Sequence, residues 1–241
     1  MSVFLKRRGS PKTPIKTKLA SEYSVGESVY LSLNGEDVEF LVVHQGNPDE
    51  SIYDSSCDGT WLLMKNVYIN KRFTTSTTGN FDYEFQNTYH EIASNIKSYI
   101  ENDLYSLFTE DVTSMIKCVN IPINSNHGLR NRAVTLFILS ATELGFTTED
   151  YPSGCQLDLF KSGNNDYRKS SDRTRDDDIT YGYWTRNPRN DKSSGSSYEA
   201  LYVDTEGSLD SSTGSRSSYS ARPAMIINSR AVFNSETNRL L

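Results

Sequence analysis

Val29-Tyr30-Leu31-Ser32-Leu33-Asn34-Gly35-Glu36-Asp37-Val38-Glu39-Phe40-Leu41-Val42-Val43 sets the first element of the fold. Two β-rich runs, 29–33 and 38–43, flank an Asn-Gly turn, the strongest short-range signal for a β-hairpin. Trp61-Leu62-Leu63-Met64 is a short apolar run that fits a buried strand. Upstream, Pro11 and Pro14 among Lys, Thr and Ser make residues 1–22 an extended arm, so the globular domain is expected over 23–241.

Downstream the period changes. Ile92, Ile96, Tyr99 and Ile100 recur at helical spacing, which predicts a core-facing helix. Thr109 before Glu110 and Asp111 reads as an N-cap with acids in the first turn, ahead of Val112, Met115 and Ile116. Ala133 to Leu139 is apolar but for Thr135 and predicts a buried strand. It runs into Ser140-Ala141-Thr142-Glu143, the spacing of a capping box, in which hydroxyl and carboxylate satisfy reciprocal backbone donors. Beyond Gly145 the chain is polar and loop-rich, with late strands expected at 201–203 and 224–227. Hairpin, two or three helices and a loop-rich sheet together predict an α+β class.

The chain has 241 residues and a net charge of −6. Lys6, Arg7, Arg8, Lys12, Lys16 and Lys18 are the charged residues of the first 20 positions, so the remainder is twice as negative as the whole. A basic arm on an acidic body points to an acidic contact for the arm, or to a solvated tail. An acidic body argues against nucleic-acid binding across the domain. Three scattered cysteines, Cys57, Cys118 and Cys155, build no disulfide framework and read as small buried hydrophobes of a reducing cytoplasm. Neither a signal peptide nor an apolar run of membrane-spanning length is seen, so no membrane role is expected.

Several stretches carry a resemblance. Phe137-Ile138-Leu139-Ser140-Ala141-Thr142-Glu143-Leu144 looks like an FLLSxxE segment, and Tyr183-Trp184-Thr185-Arg186-Asn187-Pro188 like WWLRSP. Tyr202 to Ser208, followed by Ala221-Arg222-Pro223-Ala224, looks like a YVxSDGS…GVRPA ending. Residues 39–48 and 59–65 match the same pattern, with Asn187 in place of Ser and Ala221 in place of Val as departures. The chain therefore resembles, over roughly residues 25–228, a domain family of unknown function abundant in phages and prophages of gut bacteria. The layout of that ending is also similar to C-type-lectin-like domains, which implies a lectin-like body. Function does not follow from such a fold.

The resemblance implies a virion surface protein of decoration, fibre or receptor-binding type. It would be made in the host bacterial cytoplasm, released by lysis and carried on the virion surface. The arm residues Lys6, Arg7, Arg8 and Lys12 would contact other virion proteins, and a homo-oligomer is compatible with the sequence. Tyr183, Trp184, Arg186, Tyr198, Tyr202, Arg216 and Tyr219 lie among Ser and Gly. Stiff aromatic area with adaptable hydrogen bonding suits a host-cell or mucosal glycan or protein. Trp184 and Tyr202 read equally as core, and Arg186 and Arg222 as loop braces through carboxylates such as Asp204. The alternative is a purely structural capsid or tail decoration protein.

Catalytic and metal readings are weaker. The acidic run Asp172, Asp176, Asp177 and Asp178 offers hard oxygens without EF-hand spacing, and His44, His90 and His127 form no ligand-spaced pair. Neither metal nor cofactor is expected. The chain has no G-x-S-x-G, P-loop or H-E-x-x-H motif, so no enzyme is expected, although separated paired carboxylates are invisible to sequence.

Overall fold

The hairpin forms as the sequence dictates. In the computed structural model Ser28–Leu33 pairs with Glu36–Gln45, Leu33 opposite Glu36, across a two-residue Asn34-Gly35 turn. Both turn residues have positive φ, 50° and 77°, which suits a mirror-image turn matched to strand twist. The structure describes residues 14–72, 95–125, 128–147, 153–163, 165–169, 182–189, 199–213 and 218–241.

In chain order, the strands of the first half are β1 (Thr17–Leu19), β2 (Ser28–Leu33), β3 (Glu36–Gln45), β4 (Thr60–Met64) and β5 (Tyr68–Arg72). Helices α1 (Asn95–Ser98) and α2 (Glu110–Met115) follow, then β6 (Val119–Ser125), β7 (Gly128–Val134), β8 (Leu136–Ile138) and α3 (Asp158–Lys161). The chain closes with β9 (Tyr183–Arg189), β10 (Glu199–Val203), β11 (Leu209–Thr213), β12 (Ser218–Ala221), β13 (Pro223–Ile227) and β14 (Val232–Asn234).

The central sheet runs β2-β3-β4-β13-β8, antiparallel throughout. β4 and β13 are buried at every position, as the apolar runs 61–64 and 224–227 require. Trp61 of β4 is fully buried, with Tyr53 and Phe137 edge-on at 5.4 and 5.8 Å. A second sheet runs β11-β10-β9-β12-β5. Two ribbons complete the body, β6-β7 and β1-β14.

This is a sheet-rich fold, and the expected α+β, C-type-lectin-like layout with two or three helices gives way to it. Among the described residues, α1, α2 and α3 have only 4, 6 and 4 residues. The only longer helical stretch there runs from Asn95 to Leu107, where α1 opens into a wide π segment, Tyr99–Leu104, and closes with a tight turn. Ile96, Tyr99 and Ile100 face the core, as their spacing predicts, and Leu104 joins them. Ile92 lies outside the described residues. Thr109 is the N-cap of α2, although its side chain makes no cap hydrogen bond.

The sheets exceed what the sequence pattern announces because many strands are polar or interrupted. β11 reads Leu-Asp-Ser-Ser-Thr and β12 Ser-Tyr-Ser-Ala. β6 holds buried Val119, Ile121 and Ile123 in alternation, with Pro122 breaking the pattern. Part of the expected arm also folds. Thr17–Leu19 pairs with β14, Ala20 donates to the Ala231 carbonyl, and Ala20 and Tyr23 are buried, so residues 17–22 join the body. Lys16 and Lys18 pair with Glu236 and Glu27, so the acidic contact of these two cations is the protein's own surface.

Because position 35 holds a left-handed φ that a side chain resists, Gly35→Val is expected to cost about 1–2 kcal/mol. A lowered urea midpoint with unchanged slope checks this.

Candidate functional site

The segments carrying the FLLSxxE-like and WWLRSP-like motifs meet at one buried ion pair. Arg186, on β9, grips Glu143 in two-pronged fashion, Nη1 to Oε2 and Nη2 to Oε1, each at 2.5 Å. Both side chains are wholly excluded from solvent. Ser140 and Glu143 also make the anticipated reciprocal bonds: Ser140 N–H to Glu143 Oε2 at 2.9 Å, and Glu143 N–H to Ser140 Oγ at 3.0 Å. They brace a single turn after β8 rather than start a helix.

The surrounding groups satisfy the pair. Arg186 donates further to the carbonyls of Ile138, Pro122 and Ser153. The Tyr53 hydroxyl donates to Glu143 Oε1 at 2.8 Å and accepts from the Cys155 N–H. Burial, then the Glu143 carboxylate, push the Tyr53 phenol far above its ordinary pKa, so it acts as a donor. Asn187 accepts from the Ala141 N–H and donates to Ser153 Oγ. Gly154 crosses this centre at φ 104°, where a Cβ would fall 2.1 Å from the Tyr53 hydroxyl. Glu143 is thereby committed to the ion pair and its turn, with no exposure to solvent.

Arg222 plays a parallel part. It donates to the carbonyls of Met64 and Tyr167 and to the Tyr183 hydroxyl, and its guanidinium lies over the Tyr183 ring. Tyr183 in turn donates to the Arg168 carbonyl. Asp204, the brace expected for these arginines, instead accepts from the N–H groups of Glu206 and Ser208 in its own turn. Tyr183, Trp184 and Arg186 are therefore buried framework, not ligand-facing groups.

Two of the seven candidate binding residues come together at the surface. The Tyr202 and Tyr219 rings stack at 3.9 Å and 15°. Both stand edge-on to buried Trp184, at 6.1 and 4.8 Å. Three neighbouring strands, β10, β9 and β12, supply the three rings. Both tyrosines are half-buried, and the Tyr202 hydroxyl donates to Asp210 on β11 at 3.2 Å. The Tyr219 hydroxyl, partial burial and Asp210 together raise the Tyr202 pKa, so the phenol stays protonated. Tyr198, Arg216, Lys6, Arg7, Arg8 and Lys12 lie outside the described residues, as do Asp172, Asp176, Asp177, Asp178, His90 and His127.

Sequence reasoning missed Tyr53 and Ser153, because each acts through a distant partner, and Asp210, because its partner Tyr202 comes opposite it only once the β10–β11 hairpin forms. Of the cysteines, Cys57 is buried and burial pushes its thiol up to about 11, whereas Cys118 is exposed and Cys155 partly so. Among the described residues no group of three or more His, Cys, Asp or Glu is placed to hold a metal, and no helix is long and apolar enough to cross a membrane.

His44 is buried beside Trp61, its Nδ1 2.7 Å from Asp158 Oδ2 on α3. Burial lowers the His44 pKa from its ordinary 6.5, against the opposing pull of Asp158. A depressed folded pKa gives stability that is present above the unfolded pKa and lost as pH falls, when the unfolded chain takes up the proton. The urea midpoint should therefore drop as pH falls from about 7.5 to about 5.5, and His44→Gln should flatten that slope. For the ion pair, Arg186→Met should cost about 3–5 kcal/mol by stranding Glu143, while Glu143→Leu with Arg186→Met recovers most of the loss. Equilibrium urea unfolding of the single and the double variant checks this.

No curated protein and no solved structure matches the chain. Residues 58–229 match one family, a span that holds Glu143, Arg186, Arg222, Tyr202 and Tyr219 and leaves His44 and Tyr53 outside. With more than half of its length matched, the chain belongs to the family described as Domain of unknown function (DUF6273).

Proposed function

We propose that this protein is a non-catalytic phage virion surface protein that binds a host-cell or mucosal glycan through the Tyr202–Tyr219 pair. The observation that carries the reading is that pair. Two half-buried tyrosines stand on a buried tryptophan, with the carboxylate of Asp210 alongside. Aromatic faces take up the C–H face of a sugar, and a carboxylate accepts from its hydroxyls. Tyr202 and Tyr219 are held by stacking, so little side-chain freedom is lost when a ligand arrives. A single pair of rings binds weakly, and many copies on one particle convert that into avidity. The phage setting rests on the resemblance of the motifs. The arm cations Lys6, Arg7, Arg8 and Lys12 are the proposed contact with other virion proteins.

Multivalent particles carrying the protein, applied to a glycan array, test this. Tyr219→Ala is expected to weaken binding by about 2 kcal/mol, roughly thirtyfold, while Tyr219→Phe retains most of it. A flat array, with unimpaired adsorption by particles lacking the protein, would favour a purely structural decoration protein instead.

A further inference from the structure

The Asn34-Gly35 turn that closes the β2–β3 hairpin is also a chemically reactive pair. The backbone nitrogen of a glycine, unshielded by any Cβ, can attack the side-chain carbonyl of an asparagine that precedes it. Both residues are exposed, and a Cβ built at Gly35 would meet nothing within 4 Å, so no neighbouring group crowds the tip. No hydrogen bond holds the Asn34 side-chain amide or the Gly35 N–H among the described residues.

The same chemistry is restrained at comparable pairs. Asn228 and Asn234 precede serines, but their side-chain carbonyls are engaged. Asn228 accepts from the Arg230 N–H, and Asn234 from those of Glu236 and Thr237. Asp58-Gly59 is the corresponding acid pair, and there the glycine is enclosed. A Cβ at Gly59 would lie 2.6 Å from Ile226 Cγ2 and 2.7 Å from the Ile227 carbonyl. Of these pairs, only the hairpin tip is open.

We propose that the hairpin tip is a self-modification site, at which Asn34 converts to isoaspartate and aspartate with water as the co-reactant. The Gly35 nitrogen gives its proton to solvent and bonds to Asn34 Cγ. The Cγ–Nδ2 bond breaks, and ammonia leaves with a proton taken from solvent. The resulting five-membered imide adds water. Cleavage of its nitrogen from Cγ gives aspartate; cleavage from the main-chain carbonyl carbon gives isoaspartate, with the chain rerouted through Cβ and Cγ. The φ of 50° at Asn34 belongs to the closed turn, which fixes the backbone, so the ring closes while the tip is locally open. The two products differ in effect. Asp-Gly suits a mirror-image turn as Asn-Gly does. Isoaspartate adds a main-chain carbon to a two-residue connection, and so works against the Leu33–Glu36 pairing and the 2.8 Å bond from Asn34 N–H to the Leu107 carbonyl.

Full-length protein stored in mildly alkaline buffer, then digested and read by mass spectrometry and isoaspartate-specific methylation, tests the assignment. The peptide containing Asn34 is expected to split into aspartate and isoaspartate forms, faster in low urea that opens the tip. Peptides containing Asn228, Asn234 and Asp58 are expected to stay unchanged. The isoaspartate fraction should unfold at a lower urea midpoint than fresh protein. Asn34→Gly keeps a pair that suits the turn, and should lose both the modification and the fall in midpoint on storage. An unmodified Asn34 peptide, under conditions in which the urea-unfolded chain has converted, overturns the proposal, as does equal conversion at Asp58. None of these outcomes bears on Tyr202 or Tyr219.

Discussion

The Glu143–Arg186 pair is the constraint on which the rest of the body depends. Two full charges with no exposure to water are tolerable only when every lone pair and proton has a partner. Meeting that demand draws together the turn after β8, strand β9, the Pro122 carbonyl of β6, the loop at Ser153 and Tyr53 from the β3–β4 connection. Such a pair adds little net stability over apolar replacements, whereas the loss of one partner is costly. Its contribution is therefore to single out one arrangement of these five segments. The polar second sheet could not do this through side-chain packing alone.

Around that centre the labour divides by chemistry. The central sheet supplies apolar burial through β4 and β13, and Trp61 with its aromatic neighbours fills the space beneath. The second sheet has more polar strands, and arginines complete the packing at its buried side. Arg186 and Arg222 present both aliphatic length and many donors, which lets carbonyls at irregular strand ends be satisfied without water. Trp184 then roofs this sheet and carries Tyr202 and Tyr219 toward the solvent. Rigidity beneath and partial exposure above arise from the same three strands.

What was legible in the sequence was local. Asn34-Gly35 encodes its own turn, and Trp61 to Met64 and Ala224 to Ile227 announce burial by composition. Ser140 and Glu143 announce their reciprocal bonds by spacing. What was not legible was anything decided by a distant partner. Nothing near Glu143 shows that Arg186, 43 residues on, completes its coordination. Polar strands such as β11 and β12 have no period-2 signal of their own, because ladder pairing rather than side-chain burial holds them in place. The sequence therefore points toward helices that the sheets replace, and it places Tyr202 and Tyr219 on one candidate face without revealing the stacking that β10 and β12 bring about.

The pairing of β1 with β14 has a kinetic meaning. Thr17 meets Asn234, so the ladder joins positions separated by nearly the whole chain and closes it into a ring. The entropy of bringing such distant points together is not recovered until the intervening sheets have collapsed. Tyr23, edge-on to Phe233 at 5.4 Å, lies at this seam. Loop-closure entropy therefore favours late pairing at this seam, and the Tyr23 ring is the probe placed to report it.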